Sequence, residues 1–266
     1  MIAPTPLVLA LLVLTSFVAG VVDAVAGGGG LFTLPALIAC GLPPALAIAT
    51  NKGQAAPGAL SSFWTFFRRG AIDRRRAPLA FVLGFVGSLV GARVLLAIRP
   101  EPLRPIVIVL LLFALSVMLL KSRMRVHLVP RRWQPATLIA IAFTLGAYDG
   151  FFGPGVGALL IVAFVSLFGD SPLHASGNAK VVNLASNLAA FSVFAARGAI
   201  LWRLAWPMAL ANMLGARLGA RLALKRGDGF VRVVVLLVVS AVVAKLAFDI
   251  FKSAQFSSNF ANGWRR

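Results

Sequence analysis

The chain has 266 residues, 60% of them hydrophobic and 12% charged, with a mean hydropathy of +0.93. A soluble domain of this size could not carry that much apolar sequence on its surface, so the composition excludes one and indicates a membrane protein. Twenty-six Lys and Arg against seven Asp and Glu give a net charge of +19. With no soluble basic face and no stacking aromatics, this charge speaks for helix ends at a membrane surface and against nucleic-acid binding.

Continuous apolar runs predict transmembrane helices at 6–26, 45–67, 78–98, 105–120, 136–152, 177–196, 204–224 and 230–250, each long enough for a hydrocarbon core of about 30 Å. None alternates in polarity, which excludes a transmembrane barrel. The fold class expected is all-α: a polytopic membrane protein of about eight transmembrane helices, in two homologous four-helix repeats. Residues 1–125 form the first repeat, 126–252 the second and 253–266 a polar tail. The first run lacks a basic flank and recurs inside the chain at 136–152, so it reads as a permanent helix rather than a cleaved signal.

The duplication is visible in the residues. Phe17-x-x-Gly20-x-x-Asp23-x-x-x-Gly27 returns as Phe143-x-x-Gly146-x-x-Asp149-x-x-x-Gly153, 126 positions later. Arg69-Gly70-Ala71-Ile72 returns as Arg197-Gly198-Ala199-Ile200, and Gly87-x-x-x-Gly91-Ala92-Arg93 as Gly215-x-x-x-Gly219-Ala220-Arg221, both 128 later. Asn51-Lys52 has a looser counterpart in Asn178-Ala179-Lys180. Internal duplication with a substrate site between the halves is a common transporter plan.

After the first span of each half comes a piece too short to cross, Leu31 to Cys40 behind the run Gly27 to Gly30, and Val156 to Phe168 behind Gly153-Pro154-Gly155. Such pieces are expected to be broken or re-entrant helices lining a cavity. If they do not span, the basic loops 68–76 and 121–132, loop 197–203 and the C-terminus share one face, which is then cytoplasmic together with the N-terminus, and the repeats are parallel. If they do span, there are ten helices in an inverted repeat and the Arg74-Arg75-Arg76 loop lies outside. Charge favours the first arrangement.

Ionisable residues inside apolar spans need a partner, a cavity or a proton. Asp23 and Asp149, just before the glycine breaks, read as proton-coupling groups or as caps for backbone N–H groups freed at the breaks. Lys52 and Lys180, flanked by Asn51, Gln54, Asn178 and Asn183, read as an anion site; the alternative is structural pairing of Asp23 with Lys52 and of Asp149 with Lys180. Helices starting behind the breaks would aim N–H groups of Gly28, Gly29 and Gly30, and of Gly155, Val156 and Gly157, at the same anion. The Gly-x-x-x-Gly pairs read as packing faces and Arg93 and Arg221 as interface anchors. Cys40 stands alone, His127 and His174 have no partner at metal-ligand spacing, and no nucleotide motif is present, so neither metal nor cofactor is expected.

Val22-Asp23-Ala24-Val25-Ala26-Gly27-Gly28-Gly29-Gly30 with Pro35-Ala36-Leu37, Ala49-Thr50-Asn51-Lys52, Tyr148-Asp149-Gly150-Phe151-Phe152-Gly153-Pro154-Gly155-Val156-Gly157, and Asn178-Ala179-Lys180-Val181-Val182-Asn183 with Ser186-Asn187 together resemble the TauE/SafE sulfite exporter family over nearly the whole chain. The resemblance implies a bacterial inner-membrane permease, of about eight helices, that moves sulfite, an organosulfonate or a related sulfur-containing or organic anion. It departs at Val156, where many relatives carry Thr. The function expected is a secondary, proton-coupled transporter of a small anion, with substrate and membrane lipid as partners and a homodimer left open. A passive channel is the alternative. An intramembrane aspartyl protease would need a Gly-x-Gly-Asp element, which is missing, so no catalytic residue is assigned.

Overall fold

In a computed structural model, the described residues are 5–99, 101–103, 105–110, 127–227, 229, 230 and 233, all helical or in turns and loops. The repeat boundary at 125/126, residues 111–120 of the fourth expected span, nearly all of 230–250 and the tail lie outside them. Thr5 caps α1 (Pro6–Ala26) by accepting the Val8 N–H, and Pro6 opens the first turn, a position where its missing N–H costs nothing. Gly27, at φ +70°, ends α1 in the left-handed conformation that glycine adopts without steric cost. Next come α2 (Gly30–Ala39), α3 (Pro44–Arg68) and α4 (Ala77–Ala97). Residues 101–103 and 105–110 are also helical.

A 3-10 turn at Arg131–Trp133 leads into α5 (Gln134–Phe151), followed by α6 (Val156–Phe168), α7 (Pro172–Ala196), capped by Ser171, and α8 over residues 202–227. The order long, short, long, long thus occurs twice. At about 1.5 Å per residue, α2 and α6 are about 15 and 20 Å long and fall short of the bilayer core. Among the described helices, α1, α4 and α7 are long and apolar enough to cross a membrane by length and composition. Exposed rows such as Leu7, Leu11, Leu14 and Val18 on α1 and Val82, Val86, Val90 and Val94 on α4 make the outer surface one that suits lipid.

Glycines set the packing. A methyl group on Gly87 or Gly91 would strike the carbonyl oxygens of Phe143 and Ala147, and one on Gly215 or Gly219 those of Phe17 and Val21. Rising numbers on both sides make α4 parallel to α5 and α8 parallel to α1. The expected packing role of these glycines is met, and each stripe serves the opposite half. Helices α3 and α7 run antiparallel. The Asp73 N–H, just past the end of α3, donates to Asn178 Oδ1 near the start of α7 (2.8 Å), while the Leu201 N–H, past the end of α7, donates to Thr50 Oγ1 near the start of α3 (3.2 Å).

This geometry overturns the single-face arrangement of loops. Loop 69–76 and loop 197–201 sit at opposite ends of the α3/α7 pair, and α1, parallel to α8, begins at the end of loop 197–201. Charge alone could not separate the two ends, because arginines occur in both loops. Apolar residues gather at each end: Phe66, Ile72 and Phe164 near loop 69–76, and Ile48, Phe194, Ile200 and Leu204 near loop 197–201. Between them lies a buried polar belt that includes Asn51, Lys52, Gln54, Asp149, Lys180, Asn183, Ser186 and Asn212.

Candidate functional site

The two glycine breaks meet at this belt. The Ala158 N–H donates to Gly27 O (2.6 Å), the backbones of Gly27 and Gly157 leave no room for a Cβ between them, and Gly30 lies against Pro154. Only glycine allows such an approach, which explains why both breaks are glycine-rich. Part of the expected anion cradle is already spent, since the Gly29 N–H donates to Asp23 Oδ1 (3.3 Å) and the Val156 N–H to Gly153 O (3.2 Å).

Asp23, on the last turn of α1, accepts from Lys180 Nζ of α7 at Oδ2 (2.7 Å) and from the Gly29 N–H at Oδ1 (3.3 Å); Lys180 Nζ also donates to Asp23 O. Asp149, on the last turn of α5, accepts from Lys52 Nζ of α3 at Oδ1 (2.5 Å) and from Ser186 Oγ at Oδ2. Both ion pairs therefore cross between halves. The within-half pairs Asp23 with Lys52 and Asp149 with Lys180 do not form, because the antiparallel setting of α3 and α7 brings the end of α1 to α7 and the end of α5 to α3. Lys52 and Asp149 are 2% exposed and Lys180 is fully buried, whereas a third of the Asp23 side chain is exposed.

A cavity of about 40 Å³ is lined by Asp23, Gly29, Gly30, Asn51, Lys52, Gln54, Ala55, Ala59, Asp149, Gly153, Val156, Asn183, Asn187 and Asn212. At about 10–15 Å³ per water-sized probe it has room for roughly three waters. Asn51 Oδ1 accepts from Thr33 Oγ1 (2.6 Å) and Gln54 Nε2 (2.9 Å), which ties α2 to α3. Gln54 Oε1 and Asn183 Oδ1 are buried without a donor among the described residues, and such groups are costly unless water or a ligand reaches them.

Of the residues expected to bind substrate, Lys52, Asn51, Asn183, Gly29, Gly30 and Val156 line this cavity, as do Asp23 and Asp149. Gly28, Gly155 and Gly157, at the breaks, and Lys180, bonded to Asp23, do not line it. Asn178 does not belong to the site. Its Nδ2 donates to Asp170 Oδ2 (2.7 Å), and Arg76 bridges Asp170 (2.7 Å) and Asp73 (2.6 Å) beside it. Burial pushes the Asp73 carboxyl up, but the Arg76 guanidinium and the N–H groups of Arg75 and Arg76 outweigh it and hold it below the usual range.

Sequence reasoning missed Asn212, whose signal was an isolated amide inside an apolar span, and gave Ser186 no role although it sits one turn beyond Val182 on the lysine helix. A larger hollow of about 1040 Å³ lies between the outer faces of α3 and α8, lined by Leu60, Trp64, Arg68, Arg69, Arg217 and Arg221 among others. These are the helix faces turned away from the ion pairs, so the smaller cavity, which the ion-paired residues line, is the functional candidate. Its residues offer buried, mutually neutralised charges and amides, a set suited to exchanging an ion or a proton. The described residues hold no cluster of three or more metal-ligating side chains.

Comparison with known proteins agrees with this setting. The sulfite exporter TauE/SafE family profile matches residues 12–246. "Probable membrane transporter protein YfcA" of Escherichia coli K12 is 37% identical over 92% of this chain and 91% of its own length. A "Probable membrane transporter protein" of Haemophilus influenzae is 36% identical over 91% and 95%, and "Probable membrane transporter protein ORF9" of a Sinorhizobium species is 34% identical over 91% and 93%. No solved structure matches the chain. The chain therefore belongs to the sulfite exporter TauE/SafE family, a family of membrane transporters and not of enzymes.

Proposed function

We propose that this membrane transporter carries a small anion by secondary, proton-coupled transport, with the cavity between the glycine breaks as its substrate site. The observation that supports this best is the crossed pairing of Asp23 with Lys180 and Asp149 with Lys52 around that cavity. When a carboxylate of such a pair takes a proton, its lysine loses its counter-charge and attracts an anion in its place, so one proton accompanies one negative charge. The cavity volume suits a compact ion such as sulfite, and the family name makes sulfite, an organosulfonate or a related organic anion the first cargo to try.

The antiparallel pairing of corresponding helices supports an inverted-topology reading of the two repeats, the design in which rocking one repeat against the other opens the site to alternate faces. Arg68, Arg69, Arg74, Arg75 and Arg76, with Arg131 and Arg132, stand at the end of loop 69–76, and the positive-inside rule makes that end cytoplasmic in a bacterial inner membrane. Residue 5 then starts at the opposite, periplasmic face, against the orientation expected from the sequence.

Proteoliposomes holding the full chain test the reading. Sulfite flux driven by a pH gradient is the expected result, with loss of flux in the Lys52→Ala, Lys180→Ala double variant. Undiminished flux in that variant removes the lysines from the mechanism, and flux indifferent to the proton gradient points to a passive channel.

A further inference from the structure

The two ion pairs descend from the same repeated motif, yet their surroundings differ. Asp149 is sealed: Lys52 Nζ occupies Oδ1, the Ser186 hydroxyl occupies Oδ2, and Ser186 is itself held in place by a hydrogen bond from Ser88 Oγ to its carbonyl (2.6 Å). Lys52, Asp149, Ser186 and Ser88 are each 2% exposed or less. Asp23 has no hydroxyl donor among the described residues. Its Oδ1 takes one long bond from the Gly29 N–H (3.3 Å), and a third of its side chain is exposed beside the cavity.

The offset of 128 residues explains the difference. It places Gly58 where the second half has Ser186, and Ala216 where the first half has Ser88, so neither hydroxyl has a counterpart near Asp23. A Cβ at position 58 would meet Asn212 Oδ1, so a side chain there would require the Asn212 amide to move.

We infer that Asp23 is the carboxylate that exchanges the coupling proton, and that Ser186 is a positioning residue that keeps Asp149 a fixed anion. This rests on the proton-coupled reading above. A proton on Asp149 would leave the Lys52 charge unmatched, since Lys52 has no second acceptor among the described residues, and would turn the Ser186 hydroxyl from Oδ2 to the longer contact with Asn183 O (3.1 Å). Asp23 can take a proton without stranding its lysine, because Lys180 Nζ keeps its bond to Asp23 O. The ionisable groups facing Asp23 are Lys180 from α7 and, across the cavity, Lys52 from α3 and Asp149 from α5; α2 offers backbone and α8 the neutral Asn212. One proton enters at Asp23 Oδ1 from water and leaves by the same atom, with no other bond made or broken.

The test is sulfite uptake and proton flux by the full chain in proteoliposomes across a range of pH; the titration of sulfite itself is common to all variants and cancels in the comparison. Wild type is expected to follow a single-proton limb, about tenfold in rate per pH unit. Asp23→Asn should abolish proton flux and flatten the limb of whatever sulfite uptake remains. Ser186→Ala should free Asp149 and add a second proton to the profile, and Ser186→Thr should return it to one. A limb that survives in Asp23→Asn, or a Ser186→Ala profile that superimposes on wild type, overturns the assignment and leaves proton coupling standing. Absence of any sulfite-linked proton flux in wild type removes the coupling itself. Infrared difference spectra of wild type on acidification give an arm that does not depend on the serine variants folding: one protonated-carboxyl band, lost in Asp23→Asn, is expected, and two bands or a band retained in Asp23→Asn count against it.

Discussion

The two ends of the α3/α7 pair share a sequence and differ in how they close. Arg-Gly-Ala-Ile forms the loop at both, and at both a buried isoleucine, Ile72 or Ile200, packs near the start of the opposite helix. Past the isoleucine the ends diverge. At one, Asp73, Arg76, Asp170 and Asn178 interlock, with Arg76 also over the rings of Phe164 and Phe168. At the other, Leu201 and Leu204 stand where Asp73 and Arg76 would be, and among the described residues the polar contact between the two helices there is the Leu201 N–H on Thr50 Oγ1. The shared tetrapeptide fixes the helices antiparallel; the residue that follows decides whether an end is closed by charge or by packing. Exposed charge closure weakens with salt and acid, packing does not, so the stability of the two ends should respond differently to those conditions.

Arg76→Met should break the contrast most. It leaves Asp73 and the nearly buried Asp170 facing each other, a loss of about 2–5 kcal/mol that shrinks as salt is raised; unfolding in detergent at low and high ionic strength measures it. Leu204→Ala is the matching change at the apolar end. In lipid or detergent the transfer part of the usual cost is small and the cavity part remains, so about 2 kcal/mol is expected, with no salt dependence. A salt-sensitive Leu204→Ala would erase the distinction.

Added methyl groups sharpen it. A Cβ on Gly177 meets the rigid Ala71 carbonyl oxygen, whereas one on Gly53 meets the movable Ile200 Cγ2 at 2.9 Å. Gly177→Ala should cost at least about 1 kcal/mol and Gly53→Ala less, as melting temperatures in one detergent would register. The smallest effect is that of acid. Because the folded-state pKa of Asp73 is depressed, its contribution is present above the ordinary carboxylate value of about 3.9 and is lost as pH falls through the lower folded value. Melting temperature followed down to low pH should fall less in Arg76→Met than in wild type.

Much of this was legible in the sequence. Apolar runs gave the helical class, Gly27 and Gly153 to Gly155 marked the breaks, and charges placed in apolar sequence picked out Asp23, Lys52, Asp149 and Lys180. Which aspartate meets which lysine was not legible, because pairing depends on the direction of α3 relative to α7, and the arginines of both loops misdirected that choice. Asn178 illustrates the same limit. Its spacing from Lys180 suggested a ligand, but two residues is more than half a helical turn and turns the amide toward the end of the molecule.

The crossed pairs also set a timetable for synthesis. Asp23 meets its lysine 157 residues later in the chain, and Lys52 its aspartate 97 residues later. At about 5–20 residues per second, the first half spends roughly 8–30 s beside the ribosome with an unmatched acid near the end of its first helix. The nascent helix is thus best served by staying in contact with water or the insertion machinery until α7 emerges, and the crossed pairs are complete only after residue 180 has been made.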